Sequence, residues 1–463
     1  MIQLKKILCL LPVLVLLIGW TSCEKKTETT PSSETKLTAI VFAANDSFPG
    51  LKNATFTIDF AHDTALVYNE DSLPVGTRID SVVATFYFST TIGYANFYSG
   101  NDTVLVTASD TLNFEPRPCR LQVISEDQKN ERNYYIYVNV HTVDPDLYQW
   151  AQTQESLFSG NCDVHAENLN DIIQLYRQDG INATLYRTTD GREWTGPLPL
   201  NGLPKSANVR QIIKGDKRLW YAENNRIYST TDGQNWVSDD CSALGIKVEN
   251  MLFHYNDSIW AVVSDPASGD LWFATMKEGE TLAKQNQIGR INDYYRLAHE
   301  NFPLSDFSAI VFSGRSGRRR AMVMGGFDTN GNALNSRWNL EWIDTDLTTG
   351  YYRLENFTIE QPDFTALTGA ALVWYDYKML LFGAQEDPSS VTIHTVLESV
   401  DEGMNWTIPD SAQNMLPETF VPRRRQAAVV TNDQAILLIG GQNRTTSFTD
   451  VWRGKKNSIE WDE

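Results

Sequence analysis

Three consecutive arginines, Arg423, Arg424 and Arg425, carry the most evident binding chemistry in this sequence. A guanidinium group presents a planar fork of N–H donors that can hold a carboxylate through two parallel hydrogen bonds. Three such groups in one loop would suit an acidic ligand. The alternative is a solvated or salt-bridged loop edge, because adjacent residues of an extended strand point to opposite faces.

Recognisable catalytic motifs are absent from the sequence. There is no Gly-x-Ser-x-Gly nucleophile motif, no HExxH spacing and no phosphate-binding glycine loop. No cysteine pair has the spacing of a zinc site. We therefore expect no cofactor, no metal ion and no catalysis, and we keep a glycoside hydrolase as the alternative.

A short repeat occupies the C-terminal two thirds of the chain. The segment 185–194 (LYRTTDGREW) is echoed at 227–236 (IYSTTDGQNW) and at 397–406 (LESVDEGMNW). The first two copies are 42 residues apart, and the third follows after 169 residues, close to four such periods. A period of this size with several short strands per repeat is typical of propeller blades.

The third copy matches the Asp-box pattern Ser-x-Asp-x-Gly-x-x-Trp, and the first two resemble its shortened form. In this pattern Asp should cap a tight turn, Gly should supply a positive φ, and Trp should pack on the neighbouring blade. We therefore assign a structural role, not a catalytic or metal-binding one, to Asp190, Gly191, Trp194, Asp232, Gly233, Trp236, Ser399, Asp401, Gly403 and Trp406.

A second pattern resembles Kelch blades. Apolar runs end in Gly-Gly at 321–326 and 435–441, and 379–383 is a degenerate copy. Twelve of the 13 Trp residues lie at position 150 or later, which indicates a separate domain. We predict an all-β chain with a Kelch/Asp-box-like β-propeller at 147–463, of about six blades with seven as the alternative. Residues 147–150 could supply a closing strand to the last blade.

In such a fold, two sets of loops surround one opening of the central channel. They are the loops that enter the innermost strands and those that join the second strand to the third. On this register the candidate ligand-binding residues are Arg210, His299, Asp328, Asp363, Glu386, Asp387, Arg423, Arg424, Arg425 and Arg444. Arg318, Arg319 and Arg320 should lie on the opposite face.

The Asp-box invites comparison with sialidases. A sialidase needs three arginines on the substrate carboxylate, a Tyr nucleophile with a Glu partner, and an Asp acid/base. The sequence offers candidate arginines but no assignable Tyr/Glu pair. A sialidase-like hydrolase acting on an acidic glycan is therefore the alternative to a binding protein.

Residues 36–142 show the alternation of β-strands, for example at 37–42 and 81–88. About 105 residues of such strands suit an immunoglobulin-like sandwich. The closing hairpin, around 120–140, resembles the end of β-sandwich modules in surface lipoproteins of Bacteroidota. That resemblance implies a spacer or stalk.

Residues 1–22 read as a lipoprotein signal peptide, with Lys5 and Lys6 before an apolar run and a lipobox-like 20–23 segment. Trp20 departs from the usual lipobox. We predict that Cys23 is lipidated and that 23–35 is a flexible tether. The alternative is an ordinary secretory signal with an unmodified Cys23. Cys162 and Cys241 could form a disulfide, or they and Cys119 could remain free thiols.

The formal net charge of −19 should repel nucleic acid, so we expect no nucleic-acid partner. The order of lipobox, Ig-like domain and Kelch/Asp-box-like propeller resembles a family of Bacteroidota lipoproteins. The resemblance implies an outer-membrane lipoprotein of the cell envelope, facing either side. It also implies a membrane contact through the lipid anchor and a propeller that binds a protein or glycan partner.

Overall fold

The computed structural model describes residues 30–60, 65–107, 110–145, 147–285, 296–297, 301–344, 350–358, 367–385, 393–409 and 416–457. The chain divides into two compact units, Met1–Asp144 and Pro145–Glu463. The predicted signal peptide, Cys23 and the first residues of the tether lie outside the described residues. In the part of the chain that is described, no helix is long and apolar enough to cross a membrane.

The first unit contains two sheets that share one apolar core. Its strands are β1 (Leu37–Phe42), β2 (Phe56–Asp59), β3 (Ala65–Asn69), β4 (Val82–Phe88), β5 (Ile92–Ser99), β6 (Asp102–Leu105), β7 (Asp110–Leu112), β8 (Cys119–Ser125) and β9 (Glu131–Tyr137), with a 3₁₀ turn at Pro49–Asn53. One sheet has the order β1-β4-β7 and the other β2-β3-β9-β8-β5-β6. Alternate residues of β8 are buried, as expected for a strand with one face on the core.

The second unit begins with β10 (Tyr148–Gln154), and its described strands then form six sheets. Sheet I holds β11 (Asp163–Leu169), β12 (Ile172–Asp179), β13 (Asn182–Thr188) and β14 (Thr195–Pro199). Sheet II holds β15 (Ile213–Lys214), β16 (Leu219–Glu223), β17 (Arg226–Thr230) and β18 (Val237–Asp240). Sheet III holds β19 (Lys247–Tyr255), β20 (Ser258–Ser264), β21 (Leu271–Met276) and β22 (Ala283–Lys284), with β23 (Arg296–Leu297) beside β21.

The remaining three sheets complete this unit. Sheet IV holds β24 (Ser308–Ser313), β25 (Arg319–Met324), β26 (Ser336–Asp344) and β27 (Gly350–Thr358). Sheet V holds β28 (Ala371–Tyr375), β29 (Lys378–Gln385) and β30 (Ile393–Ser399). Sheet VI holds β31 (Ala427–Val430), β32 (Ile436–Ile439) and β33 (Val451–Lys456), and β10 pairs with β33 as its outer strand. Short 3₁₀ turns occupy Val209–Gln211 and Ser242–Leu244.

Tight hairpins within the sheets follow from local sequence. Four of them place two residues between paired strands, and both turn residues have positive φ. Such turns favour Asn and Asp, which tolerate the left-handed region. The turn pairs are Asn170-Asp171, Asn224-Asn225, Asn256-Asp257 and Asp376-Tyr377.

The innermost strands form a closed ring in the order β11, β15, β19, β24, β28, β31 and back to β11. A separate apolar core fills the space between each pair of adjacent sheets in this ring. This is the arrangement of a β-propeller. The closing strand that was expected near 147–150 is observed as β10, so the two ends of the unit meet in sheet VI. The outermost strand expected at 459–461 lies outside the described residues.

Three cysteines in the described residues are free thiols. Cys119 and Cys241 are buried and Cys162 is half-buried. Cys162 and Cys241 are therefore not bridged, which was one of the two alternatives. Burial raises the pKa of the Cys119 thiol to about 11, so it stays protonated at neutral pH.

Candidate functional site

A central channel of about 660 Å³ runs through the ring of the second unit. All six innermost strands contribute to its wall, which contains both polar and apolar side chains. Polar side chains line it at both ends, for example Arg210 and Gln426 at one end and Lys214 and Asp216 at the other, and also along β11, where His165 Nε2 lies 3.1 Å from Glu167 Oε1. A few convergent polar groups in a cavity can fix the orientation of a bound ligand.

Charged side chains meet where the innermost strands begin. Asp306, just before β24, accepts from Arg425, just before β31, at 2.7, 2.9 and 3.1 Å. Arg210 Nε lies 3.6 Å from Asp306 Oδ1, and Arg425 Nη1 lies 3.5 Å from Asp163 Oδ1. We call Asp163, Arg210, Asp306, Arg424 and Arg425 the channel opening.

A chain of backbone hydrogen bonds positions three loops of this opening. Gly369 N donates to Asp306 O at 3.1 Å, and Arg425 N donates to Gly369 O at 2.7 Å. All three residues are left-handed, with φ of 49°, 64° and 54° for Asp306, Gly369 and Arg425. This conformation is costly for Arg, whereas Gly and Asp tolerate it. Each of these residues precedes one that lines the channel, namely Phe307, Ala370 and Gln426.

The Arg210 guanidinium is 15% exposed and lines the channel. Burial lowers its pKa; the nearby guanidinium groups of Arg425 and Arg424 act in the same direction, and Asp306 opposes them. Arginine nevertheless stays charged at neutral pH. Among the described residues its guanidinium donates no hydrogen bond, because Asp306 is too distant at 3.6 Å. Arg210 is therefore a charged donor facing the channel with hydrogen-bonding capacity left.

Arg425 has a different environment. Burial alone would lower its pKa, but the ion pair with Asp306 outweighs this and the pKa is raised. Its guanidinium is fixed between Asp306 and Asp163, so most of its donors are engaged. Arg425 helps to form the opening and has little capacity left for a ligand.

Arg423 does not reach the channel opening, contrary to expectation. The residue is 2% exposed, and its guanidinium pairs with the Asp450 carboxylate. The guanidinium carbon also lies 4.4 Å from the Phe420 ring centre and 3.7 Å from that of Phe448. This arginine is a structural part of sheet VI and its loops.

Arg424 is the most available of the three arginines. Its main chain pairs with Gln442 in both directions, at 2.8 Å, and its side chain is half-buried. Within the described ranges no hydrogen bond or ion pair involves the Arg424 guanidinium. It adds positive charge to the opening.

Gln426 has the least satisfied side chain near this opening. It is 3% exposed, and both its Nε2 and Oε1 atoms are buried without a hydrogen-bond partner among the described residues. The neighbouring amide of Gln211 is different, because it pairs with Asn250. Buried amide atoms are nearly always paired in folded proteins, so Gln426 is an exception among the described residues of this opening.

Other predicted ligand residues have other roles or cannot be placed. Asp328 is 5% exposed and caps its own loop, accepting from Asn330 N and Asn332 N at 2.8 Å. Burial would raise the pKa of Asp328, but the bonds from Asn332 and Asn330 outweigh it and the pKa is lowered. Arg444 is exposed in the turn capped by Asn443. His299, Asp363, Glu386 and Asp387 lie outside the described residues.

The three repeated turns are tight and hydrogen-bonded. Asp190 accepts from Arg192 N, Asp232 from Gln234 N and Asp401 from Asn405 N, each at 2.9 Å. Their glycines, Gly191, Gly233 and Gly403, have φ of 79°, 76° and 83°. A Cβ atom at each would press on the preceding sheet, at Leu437, Gln174 and Met322 respectively.

The tryptophans of these turns join the apolar cores between sheets. Trp236 packs with sheet I and Trp406 with sheet IV, while Trp194 is partly buried against the core between sheets VI and I. The Ser399 hydroxyl bonds to Asp401 at 2.8 Å within the same turn. These contacts give the turn residues a packing role between neighbouring sheets.

The second arginine cluster is engaged elsewhere. Arg318 and Arg320 both pair with the buried Glu341, and Arg320 also pairs with Glu402. No group of three or more His, Cys, Asp or Glu side chains that could hold a metal ion occurs in the described ranges.

Sequence reasoning placed Arg210, Arg424 and Arg425 at the opening but missed Asp163, Asp306, Phe307 and Gln426. Both carboxylates sit next to turns and carry no motif. The only available signal was position: each precedes or begins an innermost strand in the blade register. Gln426 directly follows the arginine run, and the sequence around it does not indicate that its side chain is buried.

Two family models match the chain. The first is the "DUF6242 beta propeller domain", over residues 144–463, and the second is the DUF6242 N-terminal domain, over residues 22–138. The chain belongs to the DUF6242 family. No curated protein sequence matches this DUF6242 protein.

Several solved structures are similar to the DUF6242 chain at low identity. The SapL1 lectin in complex with α-methyl fucoside has 13% identity over 64% of this chain and 92% of that one, with a TM-score of 0.34. An α-L-arabinofuranosidase from Clostridium thermocellum has 14% identity over 61% and 83%, with a TM-score of 0.27. A streptogramin B lyase has 10% identity over 80% and 96%, with a TM-score of 0.31. Likeness at this level carries no inference about activity.

Proposed function

We propose that this DUF6242 protein is a lipid-anchored cell-envelope protein whose propeller binds a carboxylate-bearing glycan or protein at the channel opening, without catalysis. The observation that carries the proposal is the Arg210 guanidinium. It is mostly buried, lines the channel and donates no hydrogen bond within the described residues. A buried charge that lacks good hydrogen bonds is unfavourable, and a ligand carboxylate would supply them.

The carboxylates of the opening support binding rather than glycoside hydrolysis. Asp306 accepts three hydrogen bonds from Arg425 and lies 3.6 Å from Arg210, and Asp163 lies 3.5 Å from Arg425. Asp306, the more buried of the two, therefore has its oxygens occupied by arginines of the protein, whereas a glycosidase needs carboxyl groups that face the scissile bond.

The rest of the proposal concerns the number of blades, the role of the first unit and the lipid anchor. We infer that sheets I–VI are six blades, since their innermost strands close a ring. We infer also that the two-sheet first unit is an Ig-like spacer. Cys23 would carry the lipid, as the apolar run and lipobox-like segment before it suggest.

The binding proposal is tested with immobilised polymers and the purified protein. We expect polygalacturonate or poly-L-glutamate to bind at least about tenfold more tightly than neutral dextran. Arg210→Gln should reduce that binding at least about tenfold, a loss of about 1.4 kcal/mol. Arg226→Gln, which removes an exposed charge of sheet II, should leave it unchanged.

Two results would overturn this function. Equal binding to dextran and the acidic polymers, or no effect of Arg210→Gln, would exclude a carboxylate site at Arg210. Release of new reducing ends from polygalacturonate would show hydrolysis and remove the non-catalytic part of the proposal.

The anchor is tested by detergent-phase partition of the full chain made in a bacterial host. The protein should enter the detergent phase, and Cys23→Ser should leave it in the aqueous phase. Cys9→Ser, within the predicted signal peptide, is the matched control and should partition like the wild type. Equal partition of the wild type and Cys23→Ser would contradict the anchor.

A further inference from the structure

The unpaired Gln426 amide marks a specific subsite at the arginine end of the channel. Its side chain lines the channel and is 3% exposed, and neither Nε2 nor Oε1 has a partner within the described residues. Gln174 is equally buried, at 2% exposed, but its Oε1 accepts from Arg187 Nε at 3.0 Å. Burial alone therefore does not explain why the Gln426 amide has no described hydrogen-bond partner.

An amide offers a donor and an acceptor side by side. The group that satisfies both is one that can donate and accept at adjacent atoms, such as a pair of neighbouring hydroxyl groups. A carboxylate alone would satisfy only the Nε2 donors and leave Oε1 unpaired.

Three equivalent positions line the channel near Gln426. Phe307, Ala370 and Gln426 each follow a left-handed residue, namely Asp306, Gly369 and Arg425. Ala370, the smallest of the three, lies between the other two in the order of the ring. Phe307 lines the channel and also packs against the apolar core between sheets III and IV. An apolar ring suits the C–H face of a pyranose, since aromatic side chains are common walls of ligand sites.

Arg210 lines the same end of the channel, because it and Arg425 both face Asp306. This end of the channel therefore offers the Arg210 guanidinium for a carboxylate, the Gln426 amide for hydroxyl groups and the Phe307 ring as an aromatic wall. A uronic acid residue combines these three features in one ring. An acidic peptide side chain presents a carboxylate without neighbouring hydroxyl groups.

We propose that the ligand of the channel opening is a uronic acid residue of an acidic glycan, with its carboxylate on Arg210 and neighbouring hydroxyls on the Gln426 amide. This inference rests on the proposed binding function and narrows it from glycan or protein to one sugar class.

The test is calorimetric titration of the purified protein with D-glucuronate, D-glucose, acetate and the neutral methyl ester of glucuronate. D-Glucuronate should bind at least about tenfold more tightly than the other three. Arg210→Gln should reduce glucuronate affinity to that of glucose, and Gln426→Leu should reduce it to that of acetate. Arg226→Gln, the control variant, should leave the affinity for glucuronate and its preference over the other three ligands unchanged.

Thermal unfolding without ligand gives an independent readout of Gln426. Gln426→Leu should raise the melting temperature, because it removes two buried polar atoms that have no partner in the unliganded chain. Gln174→Leu is the matched control and should lower it, because Arg187 loses its acceptor. A lower melting temperature for Gln426→Leu would contradict an unpaired amide.

The outcomes separate the two proposals. Equal affinity for glucuronate and acetate would overturn the uronic acid assignment and leave carboxylate binding intact. Poly-L-glutamate binding that depends on Arg210, without glucuronate binding, would assign a protein ligand instead. Measurable binding of glucuronate and of its neutral methyl ester with equal affinity, on the wild type, would overturn both proposals.

Discussion

Arg425 and Asp306 link two sheets that are not neighbours in the ring. Arg425 precedes β31 of sheet VI, Asp306 precedes β24 of sheet IV, and the guanidinium reaches the carboxylate at 2.7 Å. Asp306 also faces Arg210 of sheet II, so one carboxylate, 10% exposed, connects three alternate sheets. The pair fixes the geometry of the channel opening as well as stabilising it.

The removal of this carboxylate should therefore destabilise the second unit. Asp306→Ala leaves Arg425 and Arg210 facing each other, and we expect a loss of about 2 to 3 kcal/mol in the free energy of unfolding. Asp163→Ala is the matched control. Asp163 is 39% exposed and 3.5 Å from Arg425, so its loss should cost less than about 1 kcal/mol. Urea unfolding followed by tryptophan fluorescence is the measurement, and equal losses would contradict the linking role of Asp306.

Truncation of the neighbouring residues Arg423 and Arg424 should change stability by very different amounts. Arg423→Ala leaves Asp450 without its buried partner, and we expect a loss of about 3 to 5 kcal/mol. Arg424→Ala removes a side chain without a described partner, so stability should change by no more than about 0.5 kcal/mol. The same urea experiment compares the two variants, and similar losses would show that Arg424 is also a structural residue.

The differences among these three arginines show where sequence reasoning ends. The repeat period predicts the strands and the turns, because both depend on local patterns of apolar residues, Gly and Asp. The environments of the arginines depend on residues far along the chain: Asp306 lies 119 positions from Arg425. Alternation along a strand also fails at Arg425, because its φ is 54° and nothing in an arginine side chain signals a left-handed residue.

The environment of Gln426, in the proposed ligand site, also depends on residues far along the chain and is not predicted by the local sequence. Its amide is unpaired because no described neighbour in the closed ring reaches it, which is a property of the assembled channel. The sequence places it beside an arginine run and predicts nothing about its burial. The blade register nevertheless placed Arg210 and Arg425 at the same end of the innermost strands, where both face Asp306.

The repeated turns should tolerate no side chain at their glycines. Gly233 has φ of 76°, and a Cβ atom there would overlap the Gln174 amide in sheet I. Gly245 has φ of 64° but open space around it, so it is the matched control. Alanine at either position costs about 1 to 2 kcal/mol for the left-handed backbone. Gly233→Ala should cost about 1 to 3 kcal/mol more, through overpacking. Equal losses in urea would show that the turn shifts without disturbing sheet I.

Asp232 should make the second unit sensitive to acid. Burial would raise the pKa of Asp232, but hydrogen bonds from the main chain and side chain of Asn235, Gln234 N and the Thr230 hydroxyl outweigh it, and the pKa lies well below its ordinary value. The folded state therefore holds this carboxylate ionised at pH values where the unfolded chain, with a pKa of about 3.9, binds a proton. The stabilisation is complete above the unfolded pKa and is lost as the pH falls from there towards the folded pKa.

Asp232→Asn removes the titrating group and should flatten the fall in stability below about pH 4. At neutral pH the variant should be less stable by about 1 kcal/mol or less, because the charge-assisted hydrogen bonds from Gln234 N and Asn235 N are weakened but lie at an exposed, solvent-screened position. Urea midpoints from pH 2 to pH 7, read by tryptophan fluorescence, test both effects. Residues 30–144 contain no tryptophan, and Trp20 lies in the predicted signal peptide. In a protein that begins after the signal peptide, the signal therefore reports on the propeller alone. An acid dependence equal to that of the wild type would mean that other carboxylates control it and that the Asp232 turn persists when protonated.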